Sequence, residues 1–333
     1  MLKRPFPKID HIHAITVPFQ MVPDIMTANV FAVGEGPVTL IDAGLKTPGS
    51  IEYVQEGLNA AGHHLNDIER IIITHGHPDH FGLAARIRDL VEQPIEVFIH
   101  PEDAWRVSRR NFEEELWGSG FEGLRAMVDM PQHEMEEVKR GIARFYSLCD
   151  PLTDVSFMED GDEFHGDGFH LQVFHTPGHS PGMCCLYEAT QGVLFSGDHI
   201  LNHITPNPII ETNRDGLRDP NYQSLMAYKD SLEKTAAMDV KYVFPGHDEY
   251  SADLPRIISR YRSHHQQRAD FVLYVIRKKK LPLYHLVRDV FPNVSGEEVF
   301  LALSEVIAHL EVLINEGRVE MIESGPPALY RAL

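Results

Sequence analysis

A group of histidines and aspartate directly after an apolar run constrains this chain more than any other sequence feature. Residues 74–80 read Thr-His-Gly-His-Pro-Asp-His and follow three consecutive isoleucines, which predict a buried strand. In extended chain, residues two apart point the same way, so His75 and His77 can hold one metal ion. The intervening proline suits the first turn of a helix, which directs Asp79 and His80 away from the first pair. The segment therefore predicts a metal site at the end of a strand.

Three later β-rich runs also end in a histidine or an aspartate, each directly after a glycine. These residues are His179, Asp198 and His247. Glycine permits a close approach of the backbone to a metal ion. Imidazole and carboxylate ligands without thiolate suit a hydrolytic pair of zinc ions, and iron or manganese accept the same ligands. We therefore expect two Zn²⁺ ions, with Fe or Mn as alternatives, bound by residues from several strand ends.

The order of predicted elements divides the chain in two. Up to about residue 250, short β-rich runs alternate with helical stretches, without internal repeats, which indicates an α/β fold with function on loops at strand ends. From residue 254 the pattern predicts three helices followed by a two-stranded hairpin, a winged-helix-like arrangement. The helices are expected at 268–280, 283–291 and 295–316. We predict a catalytic domain at 1–253 and a winged-helix-like domain at 254–333.

Residues 102–148 interrupt the alternation, because they carry no strand signal and are rich in Glu, Arg and Met. They predict two or three helices with breaks at 118–120 and 130–131. Insertions of this length often cover active sites, so the segment is interpreted either as a lid or as helical decoration. The lid hypothesis depends on apolar side chains that could line a pocket and on arginines that could meet a substrate anion. These are Trp105, Trp117, Phe121, Met127, Met130 and Met135, with Arg106, Arg109 and Arg110.

Composition excludes several classes of protein. The 333 residues include 30 Lys and Arg against 49 Asp and Glu, a formal net charge of −19, which disfavours a broad phosphate-binding surface and a nucleic-acid partner. No apolar run reaches the ~18–20 residues of a membrane helix, and the N-terminus does not resemble a signal peptide. Three cysteines, Cys149, Cys184 and Cys185, indicate reduced thiols in a cytoplasmic protein.

Taken in order along the chain, the polar residues at the strand ends resemble the ligand set of the metallo-β-lactamase superfamily. They are Asp42, His75, His77, Asp79, His80, His179, Asp198 and His247. The resemblance covers about residues 10–250 and implies an αββα sandwich with a dinuclear zinc site at one edge. It implies that His75, His77 and His179 bind one ion, that Asp79, His80 and His247 bind the other, and that Asp198 bridges them. Asp42 is then expected to orient the site.

The resemblance also implies a mechanism, in which a metal-bridging hydroxide attacks the substrate and Asp79 and Asp198 are the catalytic carboxylates. Three branches of the superfamily are candidates: the glyoxalase II-like thioesterases, the lactonases of acyl-homoserine lactones, and β-lactamase-like protein 2. The last resembles this chain most in architecture, because it has a winged tail after the catalytic domain. We expect a small-molecule ester, thioester or lactone as substrate. The alternatives are an endoribonuclease or phosphodiesterase acting on single-stranded RNA, and a winged-helix regulatory protein with a vestigial metal site.

The remaining expectations concern single residues and the tail. His199 and His203, on the loop after Asp198, are candidates for substrate contact, whereas His264 and His265 are expected to face solvent. The third helix of the tail contains no Lys or Arg, which argues against DNA reading. Its apolar positions recur at helical spacing and need a packing partner, so the tail is expected to form a wall or a homodimer contact.

Overall fold

The computed structural model describes residues 5–22, 25–108, 128–210, 222–279, 281–296, 298–323 and 327–333. The chain forms two compact units. The first unit comprises the described parts of 1–110, 145–206 and 231–257, and the second comprises those of 111–144, 207–230 and 258–333. The predicted domain boundary at 253/254 stays a prediction. Part of the predicted insertion lies outside the described residues, namely the break at 118–120 and Arg109, Arg110, Trp117, Phe121 and Met127.

The first unit contains two β-sheets. The first has the order β1-β2-β3-β4-β5-β6, with β1 to β3 antiparallel and β3 to β6 parallel. Its strands are β1 Ile12–Val22, β2 Ile25–Val33, β3 Val38–Ile41, β4 Ile68–Ile72, β5 Glu96–Ile99 and β6 Ser156–Phe157. The second has the order β11-β10-β9-β8-β7, with β10 and β11 parallel and the other pairs antiparallel. Its strands are β7 Glu163–Gly166, β8 Phe169–His175, β9 Cys184–Glu188, β10 Val193–Gly197 and β11 Tyr242–Pro245.

Strands β3 and β10 are buried along their whole length, because both faces of these strands are covered. One face of the first sheet packs with side chains of the second sheet in a single apolar cluster, which includes Phe31, Ile41, Ile72, Leu171, Val173, Phe195 and Phe244. The opposite face packs against helices, in a cluster that includes Leu40, Ile71, Val54, Leu58, Phe81 and Ile87. The covering helices are Ser50–Ala60, Pro78–Phe81, Ala84–Leu90 and Pro101–Val107. The result is a mixed α/β fold with sheet packed on sheet and helices outside.

The second unit is mainly helical. Helix Gln132–Tyr146 contributes its first turns, and the tail contains helices Leu254–Lys278, Leu283–Val290 and Glu298–Asn315. Two antiparallel strands follow, β12 Val319–Glu323 and β13 Leu329–Ala332. Helix Ser224–Ala236 begins within this unit. Three helices and a hairpin are thus present, and their assignment as a winged-helix module stays a prediction.

The apolar core of the second unit contains two sets of side chains singled out from the sequence. The role of the tail as a wall or a homodimer contact stays a prediction. Val299, Leu303, Val306 and Leu310 of helix Glu298–Asn315 are buried in that core, so this apolar face finds its packing partners within its own unit. Met130 and Met135 are buried in the same core. They are therefore not available to line a substrate pocket, because their side chains already fill space between helices of this unit. Among the described residues, no helix combines the length and apolar character needed to cross a bilayer.

Candidate metal centre

Three histidines from two loops of the first unit converge on one point, and we call His75, His77 and His179 the three-histidine cluster. His77 Nδ1 lies 3.0 Å from His75 Nε2 and 3.0 Å from His179 Nε2. Two nitrogens bound to one tetrahedral zinc ion are about 3.3 Å apart, since each Zn–N bond measures about 2.0–2.1 Å. The spacing of the three ring nitrogens therefore fits a shared metal ion.

A second group, the mixed cluster, consists of Asp79, His80 and His247. His247 Nε2 lies 3.3 Å from Asp79 Oδ2, and His80 Nε2 lies 3.8 Å from Asp79 Oδ1. All three side chains are buried. The helix that begins at Pro78 carries Asp79 and His80, which explains why they face a different point from the preceding histidines.

Asp198 lies between the two clusters at the end of β10. Its Oδ1 is 3.4 Å from His80 Nε2, and its Oδ2 is 3.3 Å from His247 Nε2. The same Oδ2 is 3.5 Å from His179 Nε2, which belongs to the three-histidine cluster. A single carboxylate is therefore within reach of ligand atoms of both clusters.

The hydrogen bonds of the mixed cluster indicate which atoms are available to a cation. His247 Nδ1 donates to the carbonyl oxygen of Thr27 at 2.7 Å, and His80 Nδ1 lies 2.8 Å from Asp42 Oδ2. The opposite Nε2 atoms of both rings are buried without a hydrogen-bond partner among the described residues, as is Asp198 Oδ1. Buried polar atoms of this kind cost about 1–3 kcal/mol each when left unsatisfied. A divalent cation would satisfy all three, so these residues fit a bound metal.

The protonation states follow from burial and mutual charge. Burial lowers the pKa of His75 well below its usual range, and the neighbouring His80 and His77 act in the same direction, so His75 is a neutral imidazole. Burial alone would raise the pKa of Asp198, but His247 and His80 outweigh it and hold that pKa well below its usual range. Against the effect of burial, Asp198 raises the pKa of His80 and raises that of His247 to about 10. Because neutral imidazole and ionised carboxylate are the forms that bind metal ions, a cation in the mixed cluster would displace these protons.

Asp42 connects the end of β3 to both the loop after β4 and the mixed cluster. Its Oδ1 accepts from Thr74 N at 2.8 Å, and its Oδ2 accepts from the Thr74 hydroxyl at 2.9 Å as well as from His80. The residue has a φ of 59°, in the left-handed region that aspartate tolerates better than most residues. Asp42 thus fixes the ring of His80 and the tautomer that leaves its Nε2 facing inward.

Sequence reasoning missed two buried polar residues beside the loops that carry the ligands. Asn29, in strand β2, donates from its backbone N to Gly246 O at 2.7 Å, and its Nδ2 donates to Pro245 O at 2.9 Å and Asp248 O at 3.0 Å. Asp103 accepts from both ligand loops of the three-histidine cluster. An asparagine next to a buried apolar run was the available signal for Asn29, since buried polar groups are nearly always bonded.

The two histidines after Asp198 lie in different environments. His199 is wholly buried, its Nε2 lies 2.8 Å from Thr235 Oγ1, and burial lowers its pKa to about 3. The side chain of His203 is exposed, 3.8 Å from Glu249 Oε2. Contact of either residue with substrate stays a prediction.

Arg106 does not have the role considered for it from the sequence. Its side chain is buried, forms an ion pair with Asp103 at 3.3 Å, and lies over the ring of Trp105 at 4.5 Å. A guanidinium that already neutralises a buried carboxylate is not available to a substrate anion. The lid interpretation of 102–148 stays a prediction.

The cysteines are all free thiols, and Cys184 and Cys185 are buried. Burial raises the pKa of Cys185 to about 12, and burial with the nearby Asp150 raises the pKa of Cys149 to about 12. At pH 8 only about one such thiol in 10⁴ is ionised, and the thiolate is the reactive form. We expect iodoacetamide to label the native protein at least about 100-fold more slowly than it labels free cysteine, as followed by mass spectrometry. The same protein in guanidinium chloride is the control, and rapid labelling of the native chain would contradict the expectation.

Two further groups of histidine and carboxylate occur among the described residues. His264, His265 and Glu305 lie together in the second unit, and the expectation that His265 faces solvent is wrong, because it is buried. Arg268 Nε is 3.4 Å from Glu305 Oε1, so a cation there would meet a positive charge already in place. The other group, Glu163, His165 and His170, lies exposed on the β7–β8 hairpin. The first group thus has an arginine beside its carboxylate and the second is exposed, whereas the ligand atoms around Asp198 are largely buried.

Comparison with known proteins agrees with this geometry. The model of the metallo-β-lactamase superfamily matches residues 24–247. A probable metallo-hydrolase of Bacillus subtilis (strain 168), YqjP, is 27% identical over 305 residues, covering 91% of this chain and 93% of the relative. A β-lactamase-like protein 2 homolog of Caenorhabditis elegans is 23% identical over 295 residues, covering 88% and 80%.

Solved structures share the fold over nearly the whole chain. A metallo-β-lactamase family protein of Thermus thermophilus superposes with a TM-score of 0.78 at 25% identity, covering 98% of this chain and 99% of that one. A β-lactamase domain protein of Burkholderia ambifaria superposes with a TM-score of 0.77 at 21% identity, covering 98% and 94%. Fold, site and relatives define a metal-dependent hydrolase. The chain belongs to the metallo-β-lactamase superfamily.

Proposed function

We propose that the protein binds two divalent metal ions, zinc foremost, and hydrolyses a small ester, thioester or lactone. The observation that carries the proposal is the position of Asp198, whose carboxylate lies within 3.5 Å of ligand atoms of both clusters. One carboxylate placed between two ligand groups could bind an ion on either side. When bound, such a pair supplies Lewis acidity and lowers the pKa of a water molecule toward neutrality.

The residues of the site have separate roles in the proposed reaction. His75, His77 and His179 would hold one ion, and the mixed cluster would hold the other, with Asp198 shared between them. Asp79 lies on the mixed side with its Oδ2 3.3 Å from His247 Nε2, from where its carboxylate can also orient an attacking water. Asp42 and the carbonyl oxygen of Thr27 hold the His80 and His247 rings in the orientation that presents Nε2.

Charge supports a small substrate over RNA. The formal net charge of −19 repels a polyanion, and RNA binding gains most of its affinity from contacts to phosphates. Imidazole and carboxylate ligands without thiolate suit hydrolysis, and nothing in the described site requires a cysteine nucleophile.

We propose further that residues 254–333 form a winged-helix-like module that supports the fold and does not read DNA. Helix Glu298–Asn315, the third helix of the tail, contains no Lys or Arg, and much of its surface is buried in the core of its own unit. A helix that recognises a DNA sequence needs basic and polar side chains that are free to reach the edges of the bases. Salt-sensitive, sub-micromolar binding of duplex DNA by the full chain would overturn this proposal.

The proposed activity is tested by metal analysis combined with a substrate screen. We expect about two equivalents of zinc or of another divalent transition metal per chain, loss of hydrolysis after chelation, and recovery when zinc is added back. Thioester, lactone, ester and single-stranded RNA substrates are compared with the metal-loaded and the chelated protein. A single equivalent of metal would contradict the two-ion proposal. Metal-dependent cleavage confined to RNA would contradict the small-substrate proposal.

A further inference from the structure

Asp103 is a buried carboxylate outside the expected ligand set that contacts both loops of the three-histidine cluster. It lies in the first turn of helix Pro101–Val107, which follows β5, and its side chain is fully buried. Its Oδ2 accepts from Gly76 N at 2.8 Å and from the Ser180 hydroxyl at 2.7 Å, and its Oδ1 accepts from Gly182 N at 3.0 Å. Gly76 lies between His75 and His77, and Ser180 directly follows His179. One carboxylate therefore joins the two loops that carry all three histidines.

The backbone on both sides of Asp103 is adapted to this contact. A Cβ atom at Gly182 would lie 2.7 Å from Asp103 Cγ and 2.8 Å from its Cβ, closer than real side chains approach. A Cβ atom at Gly76 would lie 3.2 Å from Asp103 Cβ and 3.1 Å from Arg106 Cβ. Glycine at these two positions lets each loop approach the carboxylate closely enough to donate a backbone N–H.

The charge of Asp103 is balanced locally. Arg106, one turn further along the same helix, places its guanidinium 3.3 Å from Asp103 Oδ1 and is itself buried. With Arg106 beside it and three further donors, the carboxylate uses both oxygens as acceptors. An asparagine in its place would have to point its NH₂ group at one of these N–H or O–H donors, whichever way the amide is turned.

We infer that Asp103 is a positioning residue that sets the separation of the two ligand loops and thereby the affinity of the three-histidine cluster for its metal ion. The inference rests on the proposed function in that it takes the cluster to bind an ion. The two carboxylates differ in their contacts, because Asp42 bonds directly to the ring of His80 in the mixed cluster. Asp103 bonds to groups beside the three histidines and to Arg106 of its own helix. Loss of Asp103 should weaken one metal site and largely spare the other.

The test is a titration of metal-free protein with Co²⁺, followed by its visible absorption, and with Zn²⁺, in competition with a chromophoric chelator. Reference variants His179→Ala and His247→Ala identify the spectrum and the binding step that belong to each cluster. In Asp103→Asn we expect the step of the three-histidine cluster to weaken by about 10–100-fold and that of the mixed cluster by less than about threefold. The matched control is Glu102→Gln, which removes an exposed carboxylate from the same turn and should leave both steps unchanged.

Ser180→Ala provides a second, milder variant in case Asp103→Asn does not fold, because it removes a single bond to Asp103. We expect a smaller loss, of about threefold or more, again confined to the three-histidine cluster. Equal weakening of both steps, or unchanged affinity at the three-histidine cluster, would overturn the role of Asp103. If the wild type bound a single ion, in the three-histidine cluster, the two-ion proposal would fail. The affinities of the wild type and the Asp103 variant at that cluster would still decide the role of Asp103.

Discussion

Replacing Asp198 with asparagine is expected to lower kcat/KM by roughly three orders of magnitude, or about 4 kcal/mol of transition-state stabilisation. The substitution keeps the shape of the side chain but removes the charge that lies within 3.5 Å of His80, His179 and His247. The amide also turns a donor toward one of these nitrogens. Metal content should fall in the same variant, because the negative charge beside both clusters is removed. The measurements are steady-state kinetics on the best substrate of the screen and elemental analysis of the same sample.

Asp89→Asn is the matched control for Asp198→Asn, since it removes an exposed carboxylate from the helix Ala84–Leu90. It should retain wild-type turnover and metal content. Circular dichroism should show that both variants keep the wild-type secondary structure. Near-normal turnover of Asp198→Asn at full metal loading would show that the carboxylate between the clusters does not take part in the reaction.

Gly246→Ala is expected to disable the mixed cluster without removing any ligand. A Cβ atom at this position would lie 2.6 Å from His80 Cε1 and 2.7 Å from Asp198 Oδ1, and the backbone carbon of Gly197 is 3.2 Å away. Neither the His80 ring nor the Asp198 carboxylate can move away easily, because His80 is hydrogen-bonded to Asp42 and the surrounding residues are buried. We expect turnover to fall by about 100-fold or more, with loss of metal from the mixed cluster, as measured by kinetics and by Co²⁺ absorption.

Gly62→Ala is the control that separates this steric effect from the general cost of replacing a glycine with alanine. Gly62 has a φ of 86° and nothing within 4 Å of the position that a Cβ atom would take. Gly62→Ala should therefore lower the free energy of unfolding by about 1–2 kcal/mol through backbone strain, while turnover and metal content stay at the wild-type level. Wild-type turnover in Gly246→Ala would mean that the turn at 245–247 can move away from His80.

The strands and the ligand motif could be predicted because local signals specify them. The buried strand that the isoleucines before His75 predict is present as β4. Strand β1 was missed because Pro18 and polar residues interrupt its apolar alternation, although it pairs along most of its length with β2. Helix Leu254–Lys278 begins 14 residues before the predicted start, since its first half is rich in Arg, Ser, His and Gln. Burial of Ile257, Ile258 and Tyr261 stabilises that half, and burial cannot be read from composition.

Asp103 could not be found from the sequence for a different reason. Its partners lie 27, 77 and 79 positions away, on loops that only the folded chain brings to helix Pro101–Val107. An acidic residue in the first turn of a helix is most simply explained by the helix dipole, which gives no reason to look further. The lid hypothesis considered Met130 and Met135 as pocket-lining side chains, whereas both are buried in the helical core of the second unit.

The hydrogen bonds of Asn29 have a consequence for folding during translation. Asn29 and its acceptor Pro245 are 216 residues apart, so β2 emerges from the ribosome long before the turn that it must hold. At about 5–20 residues per second, the interval is roughly 10–40 s, during which the backbone N and the Nδ2 of Asn29 lack their native acceptors. Nascent chains that end before His247 carry an incomplete ligand set. The reaction centre is therefore among the last parts of the first unit to be completed during translation. Metal binding, measured on nascent chains of increasing length, would appear only after that completion.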